Sequence, residues 1–361
     1  MEVKCIAAGL RPIVEPLLTW YDAQARVLPW REDPTPYKVW ISEIMLQQTR
    51  VEAVKPYFER FVSALPDVNA LACAPEDVLL KLWEGLGYYS RVRNLQKAAR
   101  TLLNDYGGSL PRDPALLQKL SGIGPYTAGA IASISYGQPV PAVDGNVLRV
   151  TSRILANRDN ISLPEVKKAI ETAIGLIIPK ERAGAFNQAL MELGAMVCLP
   201  NGVAKCGECP VRAVCRGYQQ GIAMQLPVKS PKKARRIEER TVLVLLSEGR
   251  VALHRRPAKG LLAGMWEFPN LESHMPAAQA LRMLDIRQEP EYREALKQAK
   301  HIFSHVEWHM RAYLLRFTHI PDGGSLEWVT LRQLREEYAL PGAFQAYREE
   351  ADSRLSDSVS M

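Results

Sequence analysis

The spacing of apolar residues changes near residue 240, and that change limits what the chain can fold into. Before it, apolar positions recur every three or four residues in "LLTWYDAQARVL", "EDVLLKLWEGLGYY" and "PEVKKAIETAIGLII", with Pro and Gly between the runs. That period lays one apolar stripe along an α-helix. After it the period is two. "RTVLVLLSEGRVALHRR" reads as two strands about a tight Glu-Gly turn, and in "HVEWHMRAYLLRF" Val306, Trp308, Met310, Ala312 and Leu314 alternate with polar neighbours. "TLRQLREEYAL", with Thr330 and Gln333 at capping-box spacing, adds a late helix. The expected architecture is multidomain: an all-α part followed by an α+β part, and 361 residues suffice for two cores.

The junction is basic. Lys229, Lys232, Lys233, Arg235, Arg236 and Arg240 face only Glu238 and Glu239, with two prolines nearby. An exposed tether and a phosphate-binding strap both fit it. The expected boundaries are an all-α domain over 1–222, a linker over 223–240, an α+β domain over 241–347 and a loose tail over 348–361. The net charge of +7 favours an anionic partner. No apolar run approaches the ~18 residues that cross a bilayer, and the start lacks a signal-peptide pattern, so a soluble cytoplasmic protein is expected. All six histidines follow residue 250. Acid or base chemistry in the first domain therefore needs carboxylates, Lys, Tyr or Cys.

Cys198, Cys206, Cys209 and Cys215 crowd into "CLPNGVAKCGECPVRAVC", leaving only Cys5 and Cys73 elsewhere. Disulfides do not suit a cytosolic chain, so the group argues for a metal site. A zinc tetrahedron and a four-iron cluster both meet the demand.

"LSGIGPY" lies between the apolar "PALLQKL" and the small-residue "YTAGAIASIS". Gly122 and Gly124 permit a tight turn between helices, and Pro125 suits a first helical position. The freed amides would suit an anion, although a plain helix-helix turn explains the sequence as well. In "PAVDGNVLRVTSRIL", Asp144 is placed to cap a helix, where amides and the helix dipole should lower its pKa. In "PYKVWISEIMLQQTRV", Glu43 sits among apolar helix positions. It is either part of a solvated stripe or, facing a dry cleft, a general acid with a raised pKa. A raised and a lowered carboxylate together form the pair used to cleave glycosidic bonds.

"LSGIGPYTAGAIA", "VDGNVLRV" and the cysteine loop resemble the helix-hairpin-helix glycosylase superfamily that includes endonuclease III. With "LPWR", "WISEIMLQQTRVEAV", "EGLGYYSRVRNL" and "GAFNQALMELGAMVC", the chain resembles the MutY-type adenine DNA glycosylase family over nearly all of residues 15 to 220. The likeness continues through "GLLAGMWEFPN" and "HIFSHVEW". It implies excision of adenine opposite 8-oxoguanine or guanine in double-stranded DNA, by a bacterial, nucleoid-associated monomer.

In the family's pattern Glu43 is the acid that protonates adenine and later activates water, Asp144 stabilises the cationic sugar or a covalent intermediate, and Asn146 positions this chemistry. Trp30, Arg31, Leu46, Val51 and Gln188 would line the adenine pocket. Gln48, Thr49, Leu86 and Tyr88 would probe the base stack, with Gly122 and Gly124 at the DNA backbone. The four cysteines would hold a 4Fe-4S cluster. Here the chain departs from the pattern: seven residues separate the first two cysteines where six are usual, which leaves Cys198 the least secure ligand.

The second domain is implied to be Nudix-like, but "LRMLDIRQEPEYREAL" lacks the Glu-rich metal helix of the hydrolases. It should therefore recognise 8-oxoguanine through Phe303, Ser304 and His305 without hydrolysing nucleotides. The nearest alternative is an endonuclease III-like glycosylase and lyase acting on oxidised pyrimidines. Those relatives carry a Schiff-base lysine where this chain has Tyr126, and a tyrosine cannot form an imine. A non-catalytic DNA-binding module with zinc in the loop is a further alternative.

Overall fold

The computed structural model describes residues 2–231 and 234–359. Lys232 and Lys233 of the expected linker, and the last two residues of the expected tail, lie outside the described residues. Two compact units are present: Met1–Cys73 with Arg93–Pro231, and Ala74–Val92 with Lys232–Met361.

The helices before the basic stretch are α1 (Val3–Leu10), α2 (Val14–Gln24), α3 (Pro29–Glu32), α4 (Pro36–Leu46), α5 (Val51–Ala64), α6 (Val68–Cys73), α7 (Glu76–Leu82), α8 (Ser90–Asp105), α9 (Pro114–Leu117), α10 (Pro125–Ile134), α11 (Gly145–Leu155), α12 (Pro164–Gly175), α13 (Ala183–Met196) and α14 (Arg216–Gln219). Several start as their sequence dictates. The Thr35 side chain accepts from the Lys38 amide with Pro36 as the first helical residue, and Asp113 caps α9 ahead of Pro114. A core of Leu10, Leu17, Val150, Ile154, Ile174, Phe186 and Leu190 joins α1, α2, α11, α12 and α13.

The hairpin from α9 to α10 needs glycine at 122, where φ is +79° and a Cβ would stand 2.9 Å from Asn94 Cβ. Gly124 differs from expectation. Its φ is −92°, an ordinary conformation, and it caps α10 with open space around it. The small-residue run after it has a packing reason: a Cβ on Gly129 would lie 2.2 Å from the Pro141 carbonyl oxygen.

The second unit holds β1 (Arg236–Ser247), β2 (Arg250–Arg255), β3 (Trp266–Glu267), β4 (Asn270–Glu272), α15 (Ala277–Met283), β5 (Tyr292–Ile302), β6 (Val306–Phe317), β7 (Glu327–Thr330), α16 (Leu331–Glu336) and α17 (Gln345–Val359). The sheet is mixed, in the order β3-β2-β1-β6-β5 with β4 on β1 and β7 on β2, and β1 runs parallel to β6. The β1–β2 turn is the Glu248-Gly249 pair, both at positive φ. Thr330 and Gln333 complete their capping box. The expected loose tail is helical through Val359, because Tyr347, Ala351 and Leu355 recur four residues apart and are buried in the sheet's core. Segment 74–92 is tied to this unit by polar bonds. Lys81 Nζ donates to the Leu334 and Tyr338 carbonyls, and Glu84 Oε1 accepts from the Leu340 amide and Arg348. No helix among the described residues is long and apolar enough to cross a membrane.

Candidate active site

A large cleft open to solvent lies in the first unit, and Glu43, Tyr126, Asp144 and Asn146 all line it. α4 supplies Glu43, which is only 5% exposed among the buried Trp40, Ile41 and Ile44. Of the two readings open for Glu43, burial in a cleft is the one observed. The Tyr126 hydroxyl, from the first turn of α10, donates to Glu43 Oε2 at 2.5 Å and lies 3.3 Å from Met191 Sδ. Burial pushes the Glu43 carboxyl up to about 7; the Tyr126 bond and the Arg31 charge oppose that rise and the Asp144 charge adds to it.

Asp144 caps α11, and its Oδ1 accepts from the Val147 amide at 2.8 Å. Asn146 Nδ2 donates to Oδ2 at 2.7 Å. The expected fall in its pKa is not what the structure gives. Burial raises it, and the Val147 and Asn146 bonds with the Arg149 charge offset only part of that rise. The capping geometry was legible in the sequence; the depth of the cleft was not. Arg149 extends the network, donating to Asn146 Oδ1 at 2.9 Å and to the Gly194 and Cys198 carbonyls at 2.8 and 2.9 Å.

Trp30, Arg31, Leu46, Val51 and Gln188 line the same cleft, as do Gln48, Thr49 and Gly124. Gln48 is exposed with φ +62°, a conformation that costs a non-glycine residue about 1 kcal/mol or more. Two residues of α13 escaped the sequence reading. Asn187, fully buried, accepts from the Ala142 amide and donates to Ser133 Oγ and the Val140 carbonyl, which pins the loop that delivers Asp144. Glu192, 1% exposed, binds Arg26 and Arg31. The available signal was an acid in an otherwise apolar helical run, four residues beyond Gln188.

Gly122 sits behind the hairpin turn against Asn94. The remaining expected contact residues belong to the second unit. Leu86 is buried, whereas Tyr88 is exposed at φ +48° with the Arg91 guanidinium 5.7 Å from its ring. Phe303, Ser304 and His305 form the β5–β6 turn, closed by the Phe303 amide on the Val306 carbonyl at 2.9 Å. Ser304 and His305 are exposed, and Phe303 meets His301 and Trp308 edge-on at 4.5 and 4.9 Å. α15 carries no acidic residue.

Cys198, Cys206, Cys209 and Cys215 all line one apolar pocket, together with Val150, Ile154 and Leu193. Arg153 Nη1 lies 3.3 Å from Cys198 Sγ. Burial pushes the Cys209 thiol up to about 11. Among the described residues no group of three or more His, Cys, Asp or Glu is arranged to hold a metal ion.

Two family descriptions match the chain: "HhH-GPD superfamily base excision DNA repair protein" over residues 41–175 and "NUDIX domain" over 241–350. Fold and cleft together define a DNA glycosylase of that superfamily, followed by a Nudix-like α/β domain with a mixed sheet. The adenine DNA glycosylase of Rattus norvegicus is 34% identical over 92% of this chain and 77% of its own. The chain belongs to the adenine DNA glycosylase family. Among solved structures, a thermostable thymine-DNA glycosylase is 28% identical with a TM-score of 0.54, covering 59% of this chain and 98% of that one. A trapped endonuclease III–DNA covalent intermediate is 25% identical with a TM-score of 0.51, covering 60% and 98%.

Proposed function

We propose that the chain hydrolyses the N-glycosidic bond of adenine paired with 8-oxoguanine or guanine in duplex DNA, then stops. The observation that carries this reading is a buried carboxyl held near pH 7 in a cleft with a second, capped carboxylate. Adenine must first leave the stack, at a cost of a few kcal/mol. Glu43 then gives its proton to a ring nitrogen, the bond between sugar and base breaks, and its electron pair leaves with the base. Asp144, with Asn146 on its Oδ2, faces the cationic sugar. Water adds to the sugar carbon and returns a proton to Glu43. Trp30, Arg31, Leu46, Val51 and Gln188 hold the base, and Gln48, Thr49, Leu86 and Tyr88 fill or probe the stack it left. The start of α10, at Gly124, offers backbone amides to a DNA phosphate. Tyr126, where a lyase would need an amine, supports base removal without strand cleavage.

Cys198, Cys206, Cys209 and Cys215 would hold a 4Fe-4S cluster. All four line one apolar pocket, and the extra residue before Cys206 does not take Cys198 out of it. When bound, the cluster cross-links the loop and supplies a one-electron couple. The second domain, residues 241–347, reads 8-oxoguanine through Phe303, Ser304 and His305; an acid-free α15 supports recognition without hydrolysis.

The test uses three duplexes, with adenine opposite 8-oxoguanine, adenine opposite guanine, and an oxidised pyrimidine. Strand breaks should appear only after alkali and chiefly in the first. No adenine release there, or abundant cleavage without alkali, overturns the proposal. Brown protein absorbing at the blue end of the visible range, with iron in its metal analysis, is expected; colourless zinc protein would refute the cluster.

A further inference from the structure

Arg31 presents a guanidinium to the cleft, yet it does not stand there alone. Its Nη2 donates to Glu192 Oε2 at 2.9 Å, and its Nη1 to the Arg26 carbonyl at 3.1 Å. Glu192 Oε1 accepts from Arg26 Nε at 2.6 Å and from the Arg26 amide at 3.3 Å, while Oε2 also accepts from Arg26 Nη2 at 2.9 Å. One carboxylate, 2% exposed in its side chain, thus holds two arginines and a backbone amide that come from sequence more than 160 positions away. The Tyr21 ring lies under Arg31 at 5.6 Å and leaves it little freedom to swing.

We propose that Glu192 is a positioning residue for base excision, which fixes Arg31 on the pocket wall and offsets its charge so that the acid Glu43 keeps its proton. The inference rests on the reading of Glu43 as that acid. The groups that face Glu43 are Tyr126 from α10, Asp144 at the start of α11 and Arg31 from α3. Arg26, Arg50, Glu52 and Glu192 line the same cleft. Of the facing groups, Arg31 is the one whose positive charge favours the ionised acid. Burial alone would raise the Glu192 pKa, but the bonds from Arg26 and Arg31 hold it down to about 2, so it stays anionic throughout the working range. A neutral side chain at 192 leaves the Arg31 charge uncompensated near the buried Glu43, where it acts more strongly than in water. Glu43 then ionises at lower pH and fewer molecules carry the proton at neutrality.

The experiment is single-turnover release of adenine from the duplex with 8-oxoguanine, followed from pH 5.5 to 9 in the full-length protein. Glu192→Gln should move the alkaline limb of the rate profile down by about one pH unit. The rate at pH 8 should fall about ten-fold relative to the parent, with a smaller loss at pH 6. Glu192→Asp keeps the charge and should hold the limb at the parental pH. A limb that stays put in Glu192→Gln, or that shifts equally in Glu192→Asp, overturns the inference. Should Glu192→Gln fail to fold, the double variant Arg31→Gln with Glu192→Gln removes both the charge and its compensator. Its limb should lie at or above the parental pH, and a lower limb overturns the inference. Failure of the parent protein to release adenine would instead sink the proposed function, so the two failures are distinct.

Discussion

At Glu43 the protein accepts a cost in stability for a proton at neutral pH. Its carboxyl moves from an ordinary 4.5 to about 7, so protonation favours the folded state. The associated stability is complete below pH 4.5 and is lost as pH rises through 7, by about 3 kcal/mol. Glu43→Gln should therefore unfold at a higher temperature than the parent at pH 8, by roughly 5 °C, and at nearly the same temperature at pH 4.5. The same variant should lose adenine release by about 10²-fold or more and keep its affinity for the mispaired duplex. An equal thermal offset at both pH values would show that burial had not shifted the acid. Tyr126 pulls the other way, since its hydrogen bond lowers the Glu43 pKa. Tyr126→Phe should consequently move the alkaline limb of the rate profile to higher pH. Residue types and spacing singled out Glu43 and Asp144 with alternatives open, and Tyr126 came only from the family resemblance. The bond joining Glu43 to Tyr126, and the burial that raises Asp144, depend on how distant helices pack, which no local pattern encodes.

At the scale of elements, Asp144 has two duties that one substitution can separate. Its Oδ1 caps α11 while Oδ2 faces Asn146 in the cleft. Asparagine caps a helix about as well as aspartate, whereas alanine costs about 1 kcal/mol. Asp144→Asn should thus keep the cap, hold or raise the parental denaturation midpoint at neutral pH because burial raises the Asp144 pKa, and lose activity, while Asp144→Ala loses the cap and activity. Close packing of α10 is tested by Gly129→Ala, whose Cβ would press on the Pro141 carbonyl and should destabilise the first unit by about 1–3 kcal/mol. The elements legible in the sequence were those with a strong local signature: the Glu248-Gly249 hairpin, the alternation from Val306 and the Thr330 capping box. α17 was missed because charged residues surround its buried Tyr347, Ala351 and Leu355. Segment 74–92 reads as one more amphipathic helix of the first domain. Its association with the second unit rests on Lys81 and Glu84 meeting carbonyls, an amide and Arg348 more than 250 positions away.

For the whole molecule, the proposed division of labour assigns base removal to the first unit and choice of the opposing lesion to the second. Choice requires that the β5–β6 turn be held in one shape before DNA arrives, because ordering it on binding would spend the energy that discriminates. Trp308, fully buried, does this holding. Its ring meets Phe303 edge-on, its Nε1 donates to Glu238 at 2.9 Å, and the Arg240 guanidinium lies 4.7 Å from its centroid. Such aromatic and cation–π contacts contribute about 0.5–2 kcal/mol each. Trp308→Leu removes the support for Phe303 without touching any group of the Glu43 cleft. It should lower the ratio of excision rates for adenine opposite 8-oxoguanine over adenine opposite guanine by about ten-fold, nearly all through the 8-oxoguanine rate. The slow rate opposite guanine, which needs no lesion contact, should stay at the parental value. An equal fall on both substrates would mean that the second unit supports folding or catalysis at large and does not read the lesion through this turn.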